Sequence, residues 1–209
     1  FSNNVQDIFN KNGFNMVDEI EKLSKHNRLY KLIEKLNEAN DDLDPKNTSN
    51  HEMGQIFEEL LRRFQEDWDA GEHFTPRDII KLMTRLVIEG DKSLEKEKSI
   101  KTVYDPACGS GGMLTVAEET IKQRFPSSSI HLFGQEVNPE IIAICRADLL
   151  IKGHKIDKIV PESTLSKDGF PDDSFDYMIS NPPYGTDWVG DVKGKKPDKT
   201  VDKWLSDGR

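Results

Sequence analysis

Apolar residues in the first part of the chain recur at helical spacing. Ile20, Leu23, Leu29, Leu32, Ile33 and Leu36 alternate with charges, so residues 1–40 read as mostly helical. Residues 40–50 (N-D-D-L-D-P-K-N-T-S-N) have loop composition. A second helix is predicted over 51–69, with Ile56, Leu60, Leu61 and Phe64 on one face and Glu58, Glu59, Arg62 and Arg63 solvated. At Phe74-Thr75-Pro76-Arg77 the pattern predicts a helix start. Thr75 is the cap, Pro76 the first helical residue, and Asp78 follows three residues after the cap. Ile79, Ile80, Met83, Leu86 and Val87 form its expected buried face, and Gly90 to Ser99 reads as a charged, exposed connector.

Beyond that connector, short strand-like runs alternate with helical ones. Thr102-Val103-Tyr104 stops at Asp105, a turn with Gly109, Gly111 and Gly112 follows, and Met113, Leu114, Val116, Ala117 and Ile121 return to helical spacing. Ile130 to Gln135 reads as a second strand ending at Glu136. Asn138-Pro139 then opens a helix carrying Ile141, Ile142, Ile144, Cys145 and Leu149. Lys158 to Val160 is a short third strand. After a turn at Asp172-Asp173-Ser174, Phe175 to Ser180 is a fourth, running directly into Asn181-Pro182-Pro183-Tyr184. Strand–helix alternation of this kind predicts an α/β fold with an open parallel sheet. The expected organisation is a helical region over 1–72 and an α/β core over 73–209.

Composition narrows the possibilities. Of 209 residues, 32% are charged and the formal net charge is −9. A protein holding DNA alone by neutralising phosphates is expected to be basic. A nucleic-acid substrate would therefore need a local basic patch or a partner subunit. Two cysteines, Cys108 and Cys145, are too few for a disulfide framework, and no C-x-x-C or H-E-x-x-H pattern offers a metal site. Without a signal peptide or a long apolar run, the chain is expected in the cytoplasm, with no membrane partner. It begins at Phe1 and stops at Arg209, and is read as a fragment of a longer polypeptide.

Two stretches carry candidate chemistry. Glycines in the 105–112 turn permit positive φ and let a ligand lie against bare backbone. The turn lacks the Gly-Lys-Ser/Thr ending of a P-loop, which argues against a triphosphate. Asp105 stands where a dinucleotide fold would put a pyrophosphate, and a carboxylate there suits a cationic ligand such as S-adenosylmethionine. Glu136, ending the second strand, is the acid expected on ribose hydroxyls. Cys108 reads as a small residue wedged in the turn, since no neighbouring His would activate it. In Asn181-Pro182-Pro183-Tyr184 the prolines fix a rigid bend at the sheet's carboxyl edge. The Asn181 side-chain carbonyl and the Pro182 backbone carbonyl can then grip both hydrogens of an amino group, while Tyr184 offers a face for stacking. That grip suits methylation of a delocalised amine, which needs positioning and electrostatic support rather than a covalent intermediate.

The order F-T-P-R (74–77), D-P-A-C-G-S-G-G (105–112), Q-E-V-N-P (135–139) and N-P-P-Y (181–184) resembles adenine-N6 DNA methyltransferases. More narrowly, it resembles the modification subunit of type I restriction–modification systems. The resemblance implies a Rossmann-like, S-adenosylmethionine-dependent sheet behind an N-terminal helical region, with further strands expected after Tyr184. It implies that Phe74, Thr75 and Pro76 lie beside the cofactor. Asp105, Ala107, Gly109, Ser110, Gly111 and Gly112 would line its pocket, and Glu136 would hold its ribose. Asn181, Pro182, Pro183 and Tyr184 would form the catalytic segment that receives an adenine flipped out of the duplex. Expected partners are DNA, a specificity subunit that reads its sequence, and a restriction subunit. The third-strand region, Pro161-Glu162-Ser163-Thr164, departs from the family's usual acid there. An alternative enzyme is a protein glutamine-N5 methyltransferase, which uses N-P-P-Y for the same reason. A non-catalytic nucleotide-binding scaffold is the remaining reading, and the intact N-P-P-Y argues against it.

Overall fold

The computed structural model describes residues 6, 8–9, 15–44, 46–65 and 75–183. Its elements in chain order are α1 (Met16–Lys25), α2 (Leu29–Glu38), α3 (Asn40–Leu43), α4 (Asn50–Gln65), α5 (Arg77–Ile88), a 3-10 turn (Lys92–Glu95), β1 (Ile100–Asp105), α6 (Gly112–Arg124), β2 (Ser129–Gln135), α7 (Pro139–Ile151), β3 (Ile159–Val160) and β4 (Tyr177–Met178). No helix among the described residues is long and apolar enough to cross a membrane. The chain divides into two compact units. One holds the described residues of 1–70 together with 139–157, and the other those of 71–138 and 158–209.

In the second unit the four strands pair in the order β3-β2-β1-β4, all parallel. This α/β arrangement is Rossmann-like. Asp105 pairs in register with Gly134, and Tyr104 with Met178. Both long strands are most deeply buried at their carboxyl halves, as expected where helices or loops cover a parallel sheet. On one face, Thr84 and Ile88 of α5, Ala117 and Ile121 of α6, and Val103, Tyr177 and Ile179 line one apolar seam. The aromatic rings of Tyr104, Phe133, Phe170 and Phe175 form a second cluster, with Tyr104 stacked on Phe175 at 4.4 Å between centroids. Edge-to-face contacts complete it, the geometry that aromatic quadrupoles favour.

In the first unit α4 packs on α7. Gly54 permits close approach there, because a Cβ at that position would lie 2.8 Å from the Lys152 side chain. Ile141, Ile142, Ile144, Cys145 and Leu149 of α7 are buried as expected, whereas α1 and α2 bury no residue.

Three local expectations are corrected. Residues 40–43 form a one-turn helix within the expected loop. The buried face of α5 is Ile80, Thr84 and Ile88, while Ile79, Leu86 and Val87 are exposed. The i, i+4, i+8 row meets α6 and the sheet, so the helix is rotated from the face that apolar content alone marks. The connector after α5 is anchored rather than merely exposed. Leu94 is buried, and Asp91 accepts hydrogen bonds from the Tyr177 hydroxyl and from Lys101, the latter at 2.8 Å.

Candidate active site

Strand β1 ends at Asp105, and the chain then turns back on itself. The Cys108 amide donates to the Gln135 carbonyl at 2.9 Å, and the Gly111 amide to the Cys108 carbonyl at 2.8 Å. Gly109 and Gly111 take φ of 52° and 84°, left-handed values that a side chain resists. Gly112 opens α6, and a Cβ there would meet nothing within 4 Å, so the backbone faces open space. The turn is held from β2 as well. Glu136 accepts from the Gly109 amide at 3.1 Å and from the Asn138 amide at 2.7 Å. Each carboxylate oxygen keeps acceptor capacity beyond those bonds. Cys108 is buried against Gly134, as its reading as a wedge requires.

Asp105 is buried, and its carboxyl accepts from the Ala107 amide at 3.0 Å. Burial pushes its pKa up to about 7; the Ala107 amide and the nearby Ser180 hydroxyl oppose the rise, and the Glu136 charge adds to it. The Ser180 hydroxyl is buried and closes no hydrogen bond of good geometry, so its opposition is weak.

The second candidate stretch lies beside this turn. The Ile179 amide donates to the Tyr104 carbonyl at 3.0 Å, continuing the β1–β4 ladder past Met178. Ser180 and Asn181 therefore leave the sheet next to Asp105. Strand order reverses between β1 and β4, with β2 and β3 on the far side of β1. In open α/β sheets the ligand crevice lies at the carboxyl ends of strands at such a switch point. Pro182 and Pro183 are exposed and Asn181 half-buried at this edge.

Thr75 does not cap α5. The helix begins at Arg77, Pro76 is its cap residue, and no side chain caps it. The Thr75 hydroxyl instead accepts from Asn181 Nδ2 at 3.0 Å. Arg77 pairs with Glu119 of α6 at 2.7 Å, which ties the start of α5 to the helix that follows the glycine turn. Ala107 and Ser110 are half-buried within the turn. Phe74 and Tyr184 lie outside the described residues, as do the strands expected after Tyr184.

One contributor was not singled out from sequence. Thr164, after β3, donates its hydroxyl to the Pro106 carbonyl at 2.5 Å and braces the turn from a third strand end. Its position in the Pro161–Thr164 segment was the available signal, but no local pattern reveals a contact across 58 residues.

A family model described as N-6 DNA Methylase matches residues 48–207. The type I restriction enzyme MpnII methylase subunit of Mycoplasma pneumoniae is 30% identical over 155 residues, covering 68% of this chain and 27% of the relative. The MjaIX methylase subunit of Methanocaldococcus jannaschii is 30% identical over 151 residues, covering 70% and 25% respectively. The crystal structure of a type I restriction–modification methyltransferase subunit from Streptococcus thermophilus superposes with a TM-score of 0.57 at 28% identity, over 73% of this chain and 33% of that one. The chain thus spans about a quarter to a third of the length of the relatives it matches.

Proposed function

The chain belongs to the N-6 DNA methylase family, and we propose that it is catalytic sequence of a DNA methyltransferase that moves a methyl group from S-adenosylmethionine to the N6 amino group of adenine. In this reading it works as the modification subunit of a type I restriction–modification complex. The observation that carries it is the Ile179–Tyr104 hydrogen bond, which sets the Asn181-Pro182-Pro183 bend against the 105–112 turn at the sheet's switch point.

The residues of the turn fit the cofactor. Gly109 and Gly111 take the left-handed φ that shapes the turn, and the open space beside Gly112 lets a ligand lie against its backbone. Glu136 keeps lone pairs for ribose hydroxyls. Asp105, when ionised, favours a cationic group beside it. Bound there, S-adenosylmethionine supplies an electrophilic methyl group on a sulfonium. The chain's own contribution is to hold the amine. Asn181 Oδ1 and the Pro182 carbonyl would accept hydrogen bonds from both N–H groups of adenine N6 and favour pyramidal nitrogen as it takes the methyl group, whose bond to sulfur breaks to leave a neutral thioether. Tyr184 is assigned the stacking face for the flipped base. Once methylated, the nitrogen is acidic enough to release a proton to solvent at the exposed bend.

The test is transfer of labelled methyl from S-adenosylmethionine to duplex DNA by the protein assembled with its specificity subunit. Asn181→Ala is expected to lower the rate by roughly 10²–10³, the scale for losing one preorganised polar contact, with cofactor binding retained in calorimetry. A wild-type rate in that variant would remove Asn181 from the chemistry. Transfer to a protein glutamine but not to DNA would favour the glutamine methyltransferase reading.

A further inference from the structure

Thr75 has the sequence of a helix cap and does not act as one. It stands one residue before the cap position, and its hydroxyl makes no bond to an α5 amide. It is followed by Pro76, which confines it to extended backbone and so to a fixed direction. Its hydroxyl oxygen instead accepts the hydrogen bond from Asn181 Nδ2, across 106 residues of chain. Among the described residues this is the sole hydrogen bond of the Asn181 side chain. The platform under Thr75 is itself braced, through Arg77 and Glu119, to the helix that opens at the glycine turn.

We propose that Thr75 is a positioning residue for the methyl-transfer step: its hydroxyl anchors the amide of Asn181 so that Oδ1, and not Nδ2, faces the amine to be methylated. The proposal rests on the methyltransferase reading of this site. An amide presents a donor end and an acceptor end of nearly equal size. Rotated by half a turn, Asn181 would set its own N–H groups against those of the amine, and the grip on the nitrogen would become a repulsion. Unanchored, the amide also samples intermediate angles in which neither end is aligned. A hydroxyl both donates and accepts, so Thr75 fixes the plane of the amide, and the incoming amine, which offers only N–H groups, selects the observed orientation with Nδ2 on Thr75 and Oδ1 outward. The prolines after Asn181 fix the backbone carbonyl of the pair; Thr75 does the same for the side-chain carbonyl. This differs from the role implied by family resemblance, in which Thr75 contacts the cofactor.

Thr75→Val keeps size and branching but removes the acceptor. In the assembled enzyme, kcat for duplex DNA is expected to fall roughly 10- to 100-fold, the scale on which small misplacements of a reacting group act. Cofactor affinity by calorimetry should stay within about twofold, which also reports that the variant is folded, and Thr75→Ser should recover most of the rate. Added to Asn181→Ala, Thr75→Val should cost less than about twofold more, because the group it positions is already gone. The proposal is overturned if Thr75→Val weakens cofactor binding and leaves kcat unchanged, or if its effect multiplies in full with that of Asn181→Ala. If the wild-type assembly transfers no methyl to DNA or any other amine, the underlying functional reading fails and takes the proposal with it.

Discussion

Asp105 ends β1 with 1% of its surface exposed, and burial pushes its carboxyl up to about 7. In the unfolded chain an aspartate loses its proton near about 3.9. Between about 4 and 7 the native state therefore holds a proton that the unfolded state has released. Unfolded chains bind fewer protons in that window, so this residue's contribution to stability falls as pH rises through it and levels off above about 7. Urea midpoints measured from pH 4 to 8 should decline more steeply for the wild type than for Asp105→Asn, whose side chain does not titrate. Parallel curves would mean that the carboxyl is ionised throughout. That an acid ends the first strand is legible in sequence; how deeply it is buried is not, because Ser180 and the turn close over it from elsewhere in the chain. Thr75 makes the same point in reverse. Thr-Pro before an apolar run reads as a cap, but the competing hydroxyl partner comes from 106 residues away.

Elements show where local pattern suffices. The strand–turn–helix from Ile100 to Arg124 follows from its residues, since β-branched and aromatic positions, glycines and helical apolar spacing each favour the structure they adopt. Helix α5 exists for the same reason, yet its buried face does not follow. Apolar residues surround most of the helix, and packing on α6 selects Ile80, Thr84 and Ile88. The connector after α5 is similar: its charges suggest solvent, but Lys101, only 11% exposed, pairs with both Asp91 and Asp176. The Lys101 contact is the largest of those holding Asp91 well below the usual carboxylate range. One element contact is tight enough to test directly. A Cβ on Gly134 of β2 would lie 2.9 Å from Cys108 Sγ and 3.2 Å from Leu114 Cδ1. Gly134→Ala is therefore expected to cost about 1–3 kcal/mol by overpacking, and Cys108→Ala in the same chain should recover part of it by removing the sulfur. Thermal midpoints of the two single variants and the double variant check this; full additivity would show that strand and turn do not press on each other there.

For the whole molecule, charge and topology decide different things. A net charge of −9 opposes binding of DNA through phosphate neutralisation. Under the proposed function, the polypeptide by itself is expected to leave duplex DNA unretarded in a gel shift at physiological salt, and to retard it once joined by the specificity subunit which that proposal calls for. Tight, salt-sensitive binding by the isolated polypeptide would contradict this. The α/β class, the glycine turn, the acid after the second strand and the Asn-Pro-Pro bend were all determined by sequence alone, because strand, turn and helix preferences act over a few residues and proline and glycine constrain their own backbone. Tertiary structure decided the rest. The order β3-β2-β1-β4 brought residue 105 and residue 181 to one edge, turned α5 to a face its composition does not mark, and gave the Thr75 hydroxyl to Asn181. Each of those outcomes depends on groups separated by tens of residues, and hydrogen bonds and close packing form only between groups the completed fold brings within a few ångströms.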